Sequence, residues 1–182
     1  MSKLYLTVNL DRCWGCKSCK TACKWSHDLK PGDFYPINVF RIERKDEHNN
    51  VRCFFAPIMC QQCDDPNCME SCPKKAISRD KEGIVRVDDA LCVGCGICSK
   101  ACPFGAIGYK LSPEGRKKAT KCDLCYARRA RGFLPSCEQH CIGDALISCR
   151  EEDLKQILNG YKYYKKTGGV IYYSNILSDL IK

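Results

Sequence analysis

Long hydrophobic runs are missing from this sequence of 182 residues, because Lys, Arg, Asp or Glu interrupts every apolar stretch. A membrane-spanning helix needs roughly 20 consecutive residues that are mostly apolar. The first residues also lack the basic start, apolar core and small-residue cleavage site of a secretory signal, and they carry no twin-arginine pair. We therefore expect a cytoplasmic chain with no direct membrane span, unless a partner with its own export signal carries it across a membrane.

The residue patterns of common catalytic sites are missing as well. The sequence shows no serine–histidine arrangement, no paired carboxylates and no phosphate-binding glycine loop. A chain of this length fits one compact unit or two small fused ones, and it leaves little room for a large catalytic domain beside another task. We predict that the chain has no catalytic site of its own.

Cysteine, by contrast, is abundant, with eighteen residues in the chain. At about one residue in ten, such a density is typical of disulfide scaffolds or of metal carriers. In a reducing cytosol the thiols stay reduced, so metal ligation is the favoured interpretation over a disulfide framework.

Sixteen of the eighteen cysteines fall into four blocks of four. Block one is Cys13, Cys16, Cys19 and Cys23; block two is Cys60, Cys63, Cys68 and Cys72; block three is Cys92, Cys95, Cys98 and Cys102; block four is Cys122, Cys125, Cys137 and Cys141. Three blocks end in a repeated motif, Cys72-Pro-Lys-Lys-Ala-Ile, Cys102-Pro-Phe-Gly-Ala-Ile and Cys141-Ile-Gly-Asp-Ala-Leu. Cys53 and Cys149 lie outside the blocks, and we interpret them as buried structural thiols.

Blocks one and three have the spacing C-x2-C-x2-C-x3-C. In bacterial ferredoxins this run supplies three thiolates to one cubane, while its fourth cysteine ligates the neighbouring cluster. Zinc is the main alternative, and the C-x2-C-x11-C-x3-C spacing of block four would suit it. A tetrahedral zinc site has no use for three cysteines at successive two-residue gaps plus a fourth nearby, so the set of blocks favours iron–sulfur clusters.

The formal charge of +9 would ordinarily indicate a nucleic-acid or acidic partner. That sum counts every cysteine as neutral. An oxidised [4Fe–4S] cluster with four thiolates carries about −2, so four clusters would bring the chain to about +1. The basic excess therefore indicates compensation for the cofactors, and we expect no nucleic-acid partner.

Regular structure is predicted around the blocks. Short strands are expected at Leu6–Leu10 and Ile84–Val87, just before blocks one and three, with a short helix at each fourth cysteine. Residues 38–56 alternate on both sides of a polar break and predict an inserted hairpin. The segment 151–182 is a helix-like stretch followed by tyrosines, without cysteine ligands, and we interpret it as a tail that either clamps a partner or covers the core.

The whole pattern resembles a known family. The four spacings, C-x2-C-x2-C-x3-C, C-x2-C-x4-C-x3-C-P, C-x2-C-x2-C-x3-C-P and the final Lys121-Cys-Asp-Leu-Cys125 with Gly132, Pro135, Cys137 and Cys141, are similar to those of the four-cluster ferredoxin subunit of dimethyl-sulfoxide-reductase-type enzymes. Related subunits accompany soluble tungsten enzymes of the aldehyde-ferredoxin-oxidoreductase type, including class II benzoyl-CoA reductase systems. One departure is Ile142, where many relatives have proline, but this is not a ligand position.

The resemblance implies an α+β fold made of two nested bacterial 2[4Fe–4S] ferredoxin-like units. Residues 1–37 and 110–150 would form the outer unit from blocks one and four, and residues 57–109 the inner unit from blocks two and three. The inserted β-hairpin at 38–56 and the C-terminal tail at 151–182 would complete the chain.

The resemblance also implies which cysteines share a cluster. Cys13, Cys16 and Cys19 would join Cys141; Cys122, Cys125 and Cys137 would join Cys23; Cys60, Cys63 and Cys68 would join Cys102; Cys92, Cys95 and Cys98 would join Cys72. Four [4Fe–4S] clusters are expected, and three are the alternative because some relatives hold fewer. The residues His27, His48 and His140 are left without a role, since every cluster already has four sulfur ligands.

The implied function is an electron relay to or from a large tungsten- or molybdenum-pterin oxidoreductase subunit, in some cases with a further electron-transfer subunit. The alternatives are a free cytosolic polyferredoxin and, from another class, a zinc-based nucleic-acid binder. A basic group formed by Lys117, Lys118, Lys121, Arg128, Arg129 and Arg131 is interpreted as tuning a cluster, docking an acidic partner or facing solvent. Trp14 and Trp25 are interpreted as packing that excludes water from a cluster.

Overall fold

The computed structural model describes residues 2–45 and 48–177. Its strands are β1 (Leu4–Asn9), β2 (Ile37–Lys45), β3 (Val51–Met59), β4 (Ile77–Arg79), β5 (Val85–Val87), β6 (Gly108–Leu111), β7 (Lys117–Thr120), β8 (Leu146–Arg150), β9 (Tyr163–Thr167) and β10 (Val170–Ser174). Its helices are α1 (Ser18–Ser26), α2 (Asn67–Glu70), α3 (Ile97–Ala101), α4 (Tyr126–Arg129), α5 (Ser136–Gln139) and α6 (Leu154–Leu158), with 3₁₀ turns at Leu10–Arg12 and Glu151–Asp153. Helices and strands are thus mixed along the chain, as an α+β protein requires.

The largest sheet has four strands in the order β8-β1-β10-β9. Strand β1 is antiparallel to β8 and parallel to β10. Every residue of β1 is buried, because it has a neighbour on each edge and a covered surface on each face. Leu6 and Val8 point into the main core, while Tyr5 packs with Ile171 in a smaller cluster covered by residues of α6.

Three separate two-stranded hairpins complete the strands, β2 with β3, β4 with β5 and β6 with β7. The β2–β3 hairpin lies where the sequence predicts an insertion at 38–56, and it extends one residue before and three residues beyond that range. Its polar break begins at Asp46 and Glu47, which lie outside the described residues. Strands β4 and β5 occupy the segment between blocks two and three, whereas β1 and β8 flank blocks one and four.

The C-terminal segment is part of the main sheet. Strand β10 lies between β1 and β9, so its removal would leave β1 without one of its two neighbours. The tight β9–β10 turn also reaches a cysteine loop, since the Gly169 N–H lies 3.0 Å from the carbonyl oxygens of both Gln61 and Gln62. The sequence-based interpretation that this segment encloses no cluster loop is therefore wrong for residues 168 and 169.

The helices are short, and α1 is the longest with nine residues. Within residues 2–45 and 48–177, no helix has the length and apolar character that crossing a bilayer demands.

Candidate metal centres

The block cysteines converge on four places in the fold, which we call sites 1 to 4. Site 1 comprises Cys13, Cys16, Cys19 and Cys141; site 2 comprises Cys23, Cys122, Cys125 and Cys137; site 3 comprises Cys60, Cys63, Cys68 and Cys102; site 4 comprises Cys72, Cys92, Cys95 and Cys98. Sites 2, 3 and 4 are cavities of about 320, 420 and 360 Å³, and all four cysteines of each site line its cavity. Each site combines three cysteines of one block with one cysteine of another.

Site 1 differs because it opens onto a groove at the surface. Cys16 and Cys141 line this groove together with Trp25 and Ile142. The other two thiols are close by: burial raises the pKa of Cys19 to about 12, and the neighbouring Cys13, Cys141 and Cys16 thiolates add to the rise. Site 1 therefore brings its four sulfurs together beside solvent.

The repeated motif at the ends of the blocks has a defined structural purpose. The N–H of the small residue donates to the sulfur of the cysteine four positions earlier, at 3.3 Å for Ala76 to Cys72 and 3.4 Å for Ala106 to Cys102. The third copy does the same, at 3.1 Å from Ala145 to Cys141. Donors that face a thiolate stabilise its negative charge and orient it as a ligand.

The cysteine loops need backbone conformations that few residues adopt. Gly94, in the loop of block three, has φ of +73°, and a Cβ atom there would lie 2.3 Å from the Lys117 carbonyl oxygen. Glycine is therefore required for both the left-handed conformation and the close approach of strand β7. Strand β7 in turn places the Ala119 N–H 3.4 Å from the Cys92 sulfur.

The electrostatics of the sites fit a metal-bound group. Burial raises the pKa of Cys122 and Cys137 well above the usual thiol value, and neighbouring thiolates raise both further. Burial likewise raises the pKa of Cys68 to about 11. Several thiolates cannot share such a cavity unless a cation neutralises them, and a coordinated metal deprotonates a thiol outright. Four soft sulfur donors without a carboxylate select iron–sulfur or zinc over harder cations.

The four sites follow one another in a row. Helix α1 carries Cys19 of site 1 and Cys23 of site 2, and the two thiolates affect each other. Sites 2 and 3 are adjacent because the Cys60 thiolate acts on Cys122. Sites 3 and 4 share helices, since Cys68 of α2 lies just before Cys72 and Cys98 of α3 lies just before Cys102.

A histidine that the sequence left without a role lies at site 2. The His27 Nε2 is 3.6 Å from the Cys125 sulfur and 3.6 Å from Asp123 Oδ1, and His27 lines the cavity. These three groups could hold a single metal ion by distance alone. Such an ion would compete with site 2 for Cys125. Sequence reasoning missed this contact because α1 and the block-four loop are about 100 residues apart.

Several expectations about single residues are corrected. Cys53 is exposed on the hairpin, where the Arg41 Nε donates to its sulfur at 3.3 Å, whereas Cys149 is buried as expected. Trp14 and Trp25 are 67% and 81% exposed, so they do not pack over a cluster. A tryptophan beside a cysteine block carries no signal of which way the loop turns it.

The basic residues do not form one patch. Lys118 and Lys121 are buried, while Arg128 and Arg131 are exposed. Arg129 pairs with Glu82 at 2.5 Å, and Arg150 binds the same carboxylate at 2.6 Å. Glu82 lies in the β4–β5 turn, so this ion-pair group fastens that hairpin to α4 and β8.

Comparison with known proteins identifies the family. The family model described as a 4Fe–4S dicluster domain matches residues 51–173, more than half of the chain. The chain therefore belongs to this family. The matched segment contains blocks two, three and four, and block one precedes it.

Relatives of this dicluster-domain protein carry names of reductase components. It is 38% identical over 155 residues to the probable anaerobic dimethyl sulfoxide reductase chain YnfG of Escherichia coli, which covers 82% of this chain and 74% of that protein. It is 39% identical over 140 residues to a named chain of the anaerobic dimethyl sulfoxide reductase of E. coli, covering 74% and 67%. It is 34% identical over 143 residues to a tetrathionate reductase subunit of Salmonella typhimurium, covering 78% and 56%. Family membership and the cysteine content together make this an iron–sulfur protein with multiple 4Fe–4S clusters.

Gln62 is a further residue on which the dicluster domain depends, and we predict that Gln62→Leu destabilises it. This side chain is 1% exposed; its Nε2 donates to the Cys122 carbonyl at 2.7 Å and its Oε1 accepts from the Val85 N–H at 2.8 Å. Leucine would leave both backbone groups without these partners, at a cost of about 1–3 kcal/mol each. We expect a loss of about 2–5 kcal/mol in the free energy of unfolding, measured by anaerobic denaturant titration. Gln139→Leu, at an exposed position, serves as the control, and equal stability of the two variants would contradict the prediction.

Proposed function

We propose that this chain is the electron-transfer subunit of an oxidoreductase complex and that it holds four [4Fe–4S] clusters, one at each of sites 1 to 4. Its sixteen block cysteines would be the ligands, in the groupings that define the sites. The observation that carries the proposal is the convergence of four sulfurs at each of four successive sites. A bound [4Fe–4S] cluster supplies one-electron transfer at a potential that hydrogen bonds, burial and nearby charge adjust.

The same groupings support a nested arrangement of two ferredoxin-like units. Blocks one and four exchange their fourth cysteines, as do blocks two and three. Pairing of β1 with β8 joins the two ends of the outer unit, 1–37 and 110–150. The β4–β5 hairpin belongs to the inner unit, 57–109. In this arrangement the hairpin 38–56 is an insertion between the units.

The chain's own residues would insulate the row of clusters and leave its ends accessible. Sites 2 and 3 are internal, whereas Cys16 of site 1 and Cys95 of site 4 are exposed. Electrons would enter near one of these cysteines and leave near the other. Four cysteines at each site leave no ligand position for a substrate, so the chemistry on the substrate falls to another subunit.

The partner we propose is a large catalytic subunit with a molybdenum- or tungsten-pterin cofactor. The relatives are named as single components of dimethyl sulfoxide and tetrathionate reductases, which supports a multi-subunit enzyme. Exposed Trp25 and Ile142 beside Cys16 form an apolar surface at the open end of the row, which suits a protein contact. A soluble tungsten partner is the narrower form of this proposal, and a further electron-transfer subunit would occupy the site 4 end.

Anaerobic affinity purification from the native host tests the partner. We expect a large subunit in constant ratio, with molybdenum or tungsten detected by elemental analysis, and the metal found decides between the two. Recovery of the chain with intact clusters but without any stable partner would instead support a free polyferredoxin that carries electrons between enzymes.

The cluster number gives a direct prediction. Anaerobically purified or reconstituted protein should contain about sixteen irons and about sixteen acid-labile sulfides per chain, because each cubane holds four of each. Iron and sulfide assays with visible absorbance measure this. A reproducible value near twelve irons would mean that one site is vacant, and stoichiometric zinc with little iron would contradict the proposal.

A further inference from the structure

Lys121 is a buried cation between two of the proposed cluster sites. It follows strand β7 and is 5% exposed. Its Nζ donates to the carbonyl oxygens of Val85 at 2.5 Å and Cys122 at 2.9 Å. Within residues 2–45 and 48–177, no carboxylate oxygen lies within the 4.0 Å of an ion pair with this ammonium.

The ammonium acts on the sulfurs of site 3. Lys121 lines the cavity of site 3, and the next residue along the chain, Cys122, belongs to site 2. Burial raises the pKa of Cys68, and the Lys121 charge opposes that rise. It opposes the rise in the pKa of Cys63 in the same way. The cation therefore lies where site 3 meets site 2, at the middle of the row.

Burial of an ammonium is costly unless a negative charge compensates it. Two carbonyl groups satisfy hydrogen bonds of Lys121, but neither carries a net charge. The compensating charge that the site lacks among its side chains is the charge of the thiolate-ligated cluster. One-electron reduction makes that cluster more negative by one charge and requires no bond to the lysine, so a fixed cation stabilises the reduced form more than the oxidised form.

We propose that Lys121 raises the reduction potential of the cluster at site 3 and thereby favours electron occupancy at the middle of the row. It is a positioning residue for charge, since it touches the carbonyl of one ligand and faces the sulfurs of others. This inference rests on the proposed function, because it needs a cluster at site 3.

Lys118 is the matched comparison. It lies three residues earlier on β7, is 8% exposed, and its Nζ donates to the Cys92 carbonyl at 2.6 Å. Cys92 belongs to site 4, and Lys118 does not line the cavity of site 3. Two buried lysines thus face different sites, so that removing each charge should affect a different cluster.

The test is potentiometric titration, followed by electron paramagnetic resonance, of the reconstituted full chain as wild type, Lys121→Gln, Lys121→Met, Lys121→Arg and Lys118→Gln. The signal of site 3 is first assigned as the one perturbed in Cys102→Ala. We expect Lys121→Gln, which keeps a donor but loses the charge, to lower the reduced-to-oxidised ratio of site 3 about tenfold at fixed potential, a shift of about 59 mV for one electron. Lys121→Met should do the same, Lys121→Arg should restore the wild-type value, and Lys118→Gln should leave site 3 unchanged.

The outcomes separate the inference from the proposed function. Four clusters with an unshifted site 3 in both neutral variants would overturn the role of Lys121 and leave the electron-transfer proposal intact. Loss of the site 3 signal in both neutral variants would also overturn it, because the lysine would then be structural. Wild-type protein that binds no cluster at site 3 would instead contradict the proposed function itself.

Discussion

Removing residues 161–182 should unfold the main sheet and cost the protein most of its iron. The deletion takes away β9 and β10, and β10 is the inner strand that pairs with β1. Val170 and Ile171, both buried, would leave the core, and Leu6 would lose the Gly169 carbonyl that accepts its N–H at 2.9 Å. Burial of aliphatic side chains contributes about 1.5–3 kcal/mol each, so the loss approaches the whole stability of a domain of about 5–15 kcal/mol.

The truncated chain is compared with the full chain by iron content and circular dichroism after anaerobic reconstitution. Because the β9–β10 turn rests on the Gln61–Gln62 loop, we expect site 3 to be affected together with the sheet. Retention of a full set of clusters with native secondary structure would contradict the prediction and restore the segment to the role of a detachable tail.

A role for the C-terminal segment in binding a partner remains a proposal, now confined to its exposed side. Tyr173 is buried in the sheet and Tyr172 is largely so, whereas Tyr164 on the edge strand β9 is 60% exposed. Tyr164→Ser is therefore the matched control for the truncation: it should keep the clusters, and loss of the partner in this variant alone would support a clamp formed by β9.

Much of the candidate site could be predicted from the sequence, because ligands that share a short loop must share a cluster by reach alone. The block spacings bring Cys92, Cys95 and Cys98 together without any knowledge of the fold. Strands β1 and β5 could likewise be placed from alternation just before two of the blocks. These are local features, and local chemistry decides them.

The features that could not be predicted depend on long-range contacts. The pairing of β10 with β1 joins residues more than 160 positions apart, and the Gly168–Gly169 turn is a hairpin signal that the tyrosine-rich segment around it obscures. The contact of His27 with Cys125 and the burial of Lys121 arise in the same way. Composition gave the total charge, but only the fold separates Lys121, which lies beside a site, from Arg131, which faces solvent.

The pairing of cysteines across blocks is the part of the assignment that a substitution experiment can decide most sharply. Two double variants share Cys125→Ala and differ in the second change. One adds Cys23→Ala, which removes two ligands from site 2. The other adds Cys141→Ala, which removes a second cysteine of the same block but a ligand of site 1.

We expect the Cys125/Cys23 variant to lose one cluster, about four irons, and to keep three clusters with wild-type spectra. The Cys125/Cys141 variant should keep only two clusters with wild-type spectra, because sites 1 and 2 are each left with three thiolates. Anaerobic iron analysis and Mössbauer or electron paramagnetic resonance spectra count the unperturbed clusters. Cys149→Ala is the control, since this buried thiol lies outside the blocks and should leave the iron unchanged.

Ligation by whole blocks makes the opposite prediction. If each block enclosed its own metal, Cys125 and Cys141 would belong to one centre, and Cys125 and Cys23 to two. The double variant within block four would then spare three centres, and the variant across blocks would spare two. The structure favours exchange between blocks because Cys141 acts on Cys13 and Cys19, whereas Cys23 acts on Cys122 and Cys137. A reversed count of unperturbed clusters in the two variants would therefore overturn the pairing of blocks one and four.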